Sequence, residues 1–248
     1  MSELIQNKQK LSMKTRILSY QTDPNAFLKP SYALRFMQEA AAEHTDKFGL
    51  GTRVLYDDKK MFILISVSID FDKMPFLNDE VFVETWSCGQ RGVLFTRPGR
   101  IADKNKNTLC RYSSKWVLVN TETRHILKPS ETGDLNVVLC DEKFDLRDKK
   151  IPLPQKMDLA AERKILYSDI DYNHHANNCA YADFVLDTVP DMTKKRVKRL
   201  DIYFHSEALL DDTLKIFCGE NNGFLYFKGE HERGVCFDAA VETEPVSD

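Results

Sequence analysis

One sparse pattern recurs in the two halves of the chain. Residues 23–36 (DPNAFLKPSYALRF) and 171–184 (DYNHHANNCAYADF) align without gaps, pairing Asp23 with Asp171, Asn25 with Asn173 and Phe36 with Phe184, each 148 residues apart. The surrounding pattern repeats as well. In the first half a strand at 13–19 precedes a helix that opens on Pro30, carries Leu34, Met37, Ala41, His44 or Thr45 and Phe48 at helical spacing, and closes on Gly49 and Gly51. Alternating strands follow at 62–71, 81–88, 93–101 and 109–119. In the second half the spacing predicts a short strand at 164–167, a helix at 177–188 and strands at 197–205, 213–219, 224–229 and 235–242. Between the halves the pattern fades into charges and the prolines of KKIPLPQK. The expected division is a first unit at 1–125, a linker at 126–162 and a second unit at 163–248.

A helix followed by a mostly antiparallel sheet leaves one sheet face apolar, and wrapping the sheet around the helix covers it. Two such units side by side make an α+β fold, the double hotdog, with an apolar seam between helix and sheet that suits a fatty chain. With 248 residues and 42% apolar side chains there is enough material for such a core. The formal net charge of -3 offers no general field for nucleic acid or an anionic membrane. No apolar run approaches the ~20 residues of a membrane span. The first residues lack a signal-peptide core, and six scattered cysteines without a CxxC pair suit a reducing cytoplasm. Either a monomer or a homodimer of the fused chain fits this architecture.

The second copy carries the chemistry. In SDIDYNHHANNCAY (168–181), Asp171, Asn173 and His175 alternate and project to one side of an extended segment. Asn177 or Asn178 is a natural cap for the helix that follows, which sets the trio before a helix N-terminus. There, unpaired N–H groups could polarise a carbonyl while a carboxylate or imidazole aligns water. In the first copy Phe27 replaces His175, so only the second can use an imidazole. Adjacent His174 and His175 diverge in extended chain and lack a second ligand cluster, so neither a metal nor another cofactor is expected. Cys179 falls within the apolar pattern of the helix and reads as core rather than as a thiol nucleophile.

This stretch resembles the signature of acyl-acyl carrier protein thioesterases, approximately W-S-D-x-D-x-N-x-H-x-N-N-x-x-Y, with Tyr167 in the Trp position. A second block, SSKWVLVNTETRHILKPS (113–130), is similar to the family's S-S-x-W-V-x-x-N-x-x-T-R-R segment, with His125 for the second Arg. The resemblance implies hydrolysis of fatty acyl thioesters carried on the phosphopantetheine of an acyl carrier protein. It implies catalytic roles for Asp171, Asn173, His175 and Glu207. Ala208 stands where the plant enzymes have Cys, which favours direct attack by water; whether Asp171 or Glu207 is the base stays open. It further implies that the first unit lodges the acyl tail, with Phe36, Met37 and Ala40 as candidate lining. The basic run KKRVKR (194–199) reads either as a solvated loop or, through Lys194, Lys195 and Arg196, as a docking patch for the acidic carrier. Hydrolysis of acyl-CoA and non-catalytic acyl binding are the alternatives.

Overall fold

The computed structural model describes residues 9–133, 135, 137–142, 144 and 150–246. Its frame is a single antiparallel sheet of eleven strands, ordered β1-β3-β5-β6-β2-β8-β11-β10-β9-β7, with β4 (Gln90–Arg91) paired to β5. The first unit supplies β1 (Lys10–Arg16), β2 (Lys60–Phe71), β3 (Glu80–Trp86), β5 (Leu94–Asp103) and β6 (Thr108–Asn120). The second supplies β7 (Asp158–Lys164), β8 (Lys195–Phe204), β9 (Thr213–Asn221), β10 (Phe224–His231) and β11 (Gly234–Pro245).

The two units join where β2 pairs with β8, from Ser66 opposite Tyr203 to Asp70 opposite Arg199. Fully buried Ile69 and Leu200 face each other across this seam, and Arg199 lies 3.5 Å from Asp70 near its end. The sheet curls around α1 (Pro30–Asp46) and α4 (Ala180–Leu186), which touch each other. Leu34, Met37 and Ala40 of α1 share one continuous core with Tyr181 and Phe184 of α4 and Phe237 of β11. The α+β double hotdog is therefore the observed architecture.

The repeat extends further than its side chains disclose. β1 and β7 begin and end at the same interval as the Asp23 and Asp171 pair, and each runs into a 3-10 turn, Ser19–Gln21 or Tyr167–Asp169. β7 therefore starts inside the segment expected to be linker and stops where a strand at 164–167 is expected. Most of its residues are exposed, because it is the last strand of the sheet and pairs only with β9. Such an edge has no buried face to impose alternation.

The helices depart from the repeat. α1 starts on Pro30 as expected, and Gly49 at φ +73 takes up the left-handed conformation that ends it. A short helix, α2 (Thr52–Asp57), then leads into β2. The second helix spans only seven residues instead of the whole 177–188 segment. Asn177 diverts the chain first: its side-chain Oδ1 accepts the Cys179 N–H at 2.9 Å and its carbonyl accepts the Ala180 N–H at 2.8 Å. A third short helix, α3 (Pro129–Thr132), opens the connection between the units. There Leu139 bridges to Ser87, just beyond β3.

Since β2 belongs to both halves of the sheet, Ile69→Ala should destabilise both. We expect a loss of about 2–5 kcal/mol in denaturant titration, with one transition reported alike by probes in either unit.

Candidate functional site

Asp171 organises the loop that carries the polar trio. Its Oδ1 accepts the Asn173 N–H at 2.8 Å, its Oδ2 accepts the Asn177 side-chain amide at 3.2 Å, and its own N–H donates to the His175 carbonyl at 3.1 Å. His174 sits at the turn with φ +66. The Asp23 loop is built the same way. Asp23 Oδ1 accepts the N–H groups of Asn25 at 2.9 Å and Phe27 at 3.0 Å, and Ala26 stands at φ +63. Burial raises the Asp23 carboxyl above its ordinary pKa, against the pull of those two N–H donors.

A second loop, between β8 and β9, is stitched to the first. The Ala176 N–H donates to the Ala208 carbonyl at 2.8 Å, and His175 bridges to Leu209. This register brings His175 beside Glu207, with Nε2 and Oε1 3.8 Å apart. In the first unit the Leu28 N–H donates to the Pro75 carbonyl in the same manner, so the residue equivalent to Glu207 is the buried Met74. Phe27, in the His175 position, packs edge-on to Phe76 with ring centres 5.8 Å apart. One scaffold thus holds His and Glu in the second unit, and Phe and Met in the first.

Three residues not anticipated from the motif fix Glu207. Arg124 approaches its two carboxylate oxygens at 3.2 and 3.4 Å. His231 accepts the Arg233 N–H on Nδ1 at 3.2 Å, which leaves the proton on Nε2, and Nε2 donates to the Glu207 carbonyl at 3.1 Å. Arg233 adds a bond to the same carbonyl at 3.3 Å while holding Asp212 at 2.5 Å. Arg124 had a signal, because it is the matched Arg of the TRR-like block. The pair on β10 and its turn had none.

Asp171, Asn173, His175 and Glu207 all line one cavity of about 1360 Å³. Its far wall belongs to the first unit: the later turns of α1, the start of β2, Phe95 on β5 and Trp116 on β6. The wall and the loop meet because β2 and β8 are neighbours. Of the expected tail-lining residues, Met37 and Ala40 point into the core, and Phe36 borders a separate hollow beside Tyr20 and Tyr32. The face of α1 turned to the cavity carries Gln38, Ala42 and Thr45 instead.

The basic run lies elsewhere. Lys195 begins β8 and Phe204, on the cavity, ends it, a separation of about 30 Å at strand rise. Arg196 is bound to Glu244 at 2.8 Å, Lys195 donates to the Pro190 carbonyl at 2.9 Å, and Lys194 lies 3.7 Å from Asp191. The cations at the cavity are others, among them the exposed Arg53 and Arg124. Among the described residues no cluster of three or more His, Cys, Asp or Glu is placed to hold a metal, and no helix is long and apolar enough to cross a membrane.

Two family models match the chain: the acyl-ACP thioesterase N-terminal domain over residues 8–131 and the acyl-ACP thioesterase C-terminal domain over residues 154–243. The chloroplastic dodecanoyl-[acyl-carrier-protein] hydrolase of Cinnamomum camphora is 26% identical over 220 residues, covering 80% of this chain and 56% of that protein. The chloroplastic palmitoyl-acyl carrier protein thioesterase of Arabidopsis thaliana is 27% identical over 217 residues, covering 80% and 52%. The chain thus spans little more than half the length of these curated relatives. The crystal structure of an acyl-ACP thioesterase from Bacteroides thetaiotaomicron matches with a TM-score of 0.85 at 24% identity, covering 98% of this chain and 100% of that one. The 12:0-ACP thioesterase from Umbellularia californica matches with a TM-score of 0.84 at 22% identity, covering 98% and 99%. At these identities the structural likeness establishes the fold, the same double hotdog.

The thiol of Cys179 is buried against α1, 3.1 Å from Gln38 Oε1, and burial pushes its pKa up to about 12. It should therefore resist iodoacetamide in the native protein at pH 8 and react only after unfolding, as peptide mass spectrometry will report.

Proposed function

The chain belongs to the acyl-ACP thioesterase family, and from that premise we propose that it hydrolyses fatty acyl-[acyl-carrier-protein] thioesters, releasing the free fatty acid and so ending chain elongation. The observation that carries the proposal is the pairing of His175 with Glu207 at the edge of a large, mostly apolar cavity, on a scaffold whose other copy has neither residue.

The acyl chain lies in the cavity with its thioester at the Asp171 loop. Asn173, held through its backbone by Asp171, presents its amide to the thioester carbonyl. Glu207 takes a proton from a water that attacks the carbonyl carbon, while His175 orients that water. Collapse of the tetrahedral intermediate breaks the C–S bond, and the departing thiolate recovers a proton. The general base is thus Glu207. Both oxygens of Asp171 are engaged in closing the loop, as Asp23 is engaged where no chemistry occurs, so Asp171 acts by position. The α4 N-terminus contributes little field, because the helix has barely two turns and the N–H groups of Cys179 and Ala180 are already satisfied by Asn177.

Six free thiols, one of them Cys179, suit a reducing cytoplasm. An acidic carrier would dock at the cavity mouth, where Arg53 is exposed, in place of the Lys194–Arg196 segment at the opposite end of β8.

Single-turnover hydrolysis of acyl-carrier substrate should fall by about 10²–10⁴ in Glu207→Gln and in His175→Ala, with thermal stability retained. Full activity in either folded variant would remove the mechanism, and hydrolysis of neither carrier-bound nor CoA-bound acyl groups by the native protein would leave an acyl-binding module. For docking, Arg53→Glu should raise KM for carrier-bound substrate several-fold and spare small thioesters, whereas Lys194→Glu should change neither; the reverse outcome would restore the basic run as the docking site.

A further inference from the structure

One group in the cavity wall is out of keeping with a plain hydrocarbon tail. Arg97, on β5, lines the cavity among Phe48, Phe62, Phe95 and Trp116. Its Nη1 donates to Nδ1 of the buried His44 at 2.9 Å and its Nη2 to Thr45 Oγ1 at 3.3 Å. Two of the five guanidinium N–H groups are thus engaged, and among the described residues the other three donors meet no partner. Among the described residues no carboxylate lies within ion-pair distance of Arg97. Burial lowers its pKa to about 10, so the group is still a cation at neutral pH, half-buried and open to water only on the cavity side. The last turn of α1, which contains His44 and Thr45, presents the negative end of a helix dipole and makes the charge tolerable there.

The position of Arg97 is as informative as its charge. From Phe204 on β8 the sheet passes through β2 and β6 to β5, three strand spacings or about 14 Å. Arg97 therefore belongs to the first-unit wall of the cavity, whereas His175 and Glu207 belong to the second-unit loops, so an acyl group whose thioester sits at those loops would extend toward the wall that holds Arg97. A bare methyl end there would seal three N–H donors and a positive charge away from water with nothing to accept them, a costly arrangement. An oxygen on the chain would relieve it.

We propose that the cavity selects acyl groups bearing an acceptor oxygen, a carboxylate or a hydroxyl, on their distal part, and that Arg97, braced by His44 and Thr45, is the residue that recognises it. This rests on the thioester-hydrolysis reading, and it can fail separately from it. Arg97 fixes which chain is taken, and the His175–Glu207 pair cleaves the bond.

The test compares plain, ω-hydroxylated and ω-carboxylated acyl thioesters on one carrier thiol, over a series of chain lengths. At the best length an oxygenated chain should exceed the plain one in kcat/KM by about tenfold or more. In Arg97→Met, which keeps the volume and loses the donors, that ratio should fall to about one or invert. Whether the hydroxyl or the carboxylate gains more identifies the oxygen. A native preference for the plain chain, or a ratio unchanged in a folded Arg97→Met, overturns the proposal. If Arg97→Met does not fold, the native ratio and that of Arg97→Lys decide. In parallel, displacement of a fluorescent fatty acid by free α,ω-dicarboxylates and monocarboxylates reads the same preference without turnover. Dicarboxylate selectivity that needs Arg97, without hydrolysis of any thioester, would overturn the hydrolase reading and leave this one standing; hydrolysis without selectivity would do the opposite.

Discussion

The ladder between β2 and β8 is the interaction on which the functional arrangement depends. Backbone bonds there carry one curled sheet across two units, and a run of buried apolar pairs, Val67 with Ile202 and Ile69 with Leu200, lies along the seam. Each bond adds only about 0.5–1.5 kcal/mol net, but the ladder also fixes registration. Setting β2 beside β8 places the wall of the first unit opposite the loops of the second. Neither unit alone encloses the cavity.

Within that frame the two units use one local design for different ends. Asp23 and Asp171 close the same turn, Ala26 and His174 adopt the same left-handed conformation, and Pro75 and Ala208 accept the same backbone bond. Non-glycine residues rarely adopt that backbone, so its recurrence at both turns marks a common architecture rather than a catalytic adaptation. The difference lies in two side chains. Phe27 and Met74 extend the apolar packing of the first unit, while His175 and Glu207 meet beside the cavity in the second.

Much of this was legible in the sequence, for reasons that can be named. The repeat was visible because each turn is closed by an Asp carboxylate that accepts backbone N–H groups, so Asp stands at the same place in both copies. The α+β double hotdog followed from the order of the patterns. His175 stood out against Phe27, and Glu207 came only through resemblance to a family. The limits of β7 were hidden because an exposed edge strand has no alternation, and the early end of the second helix was hidden because its apolar spacing continues beyond Leu186. The face of α1 that lines the cavity lies a fraction of a turn from Phe36, Met37 and Ala40: periodicity separates buried from exposed, but it does not distinguish a residue buried in the core from one lining a cavity. The supports of Glu207 arrive from the turn after β6 and from the end of β10 and its turn, and no local pattern links them to it.

The shortness of α4 leaves the two halves unequal. In the first unit the helix runs seventeen residues, and its later turns form a wall of the cavity; in the second it stops after seven. Past that end the chain folds back so that the Asn25 amide donates to the Thr193 carbonyl at 2.9 Å, which ties down the first-unit equivalent of the Asn173 loop. The large cavity is accordingly lined by the Asp171 loop and not by its Asp23 counterpart. The bay is thus shared between the halves rather than duplicated, so whatever occupies it is met by both units at once.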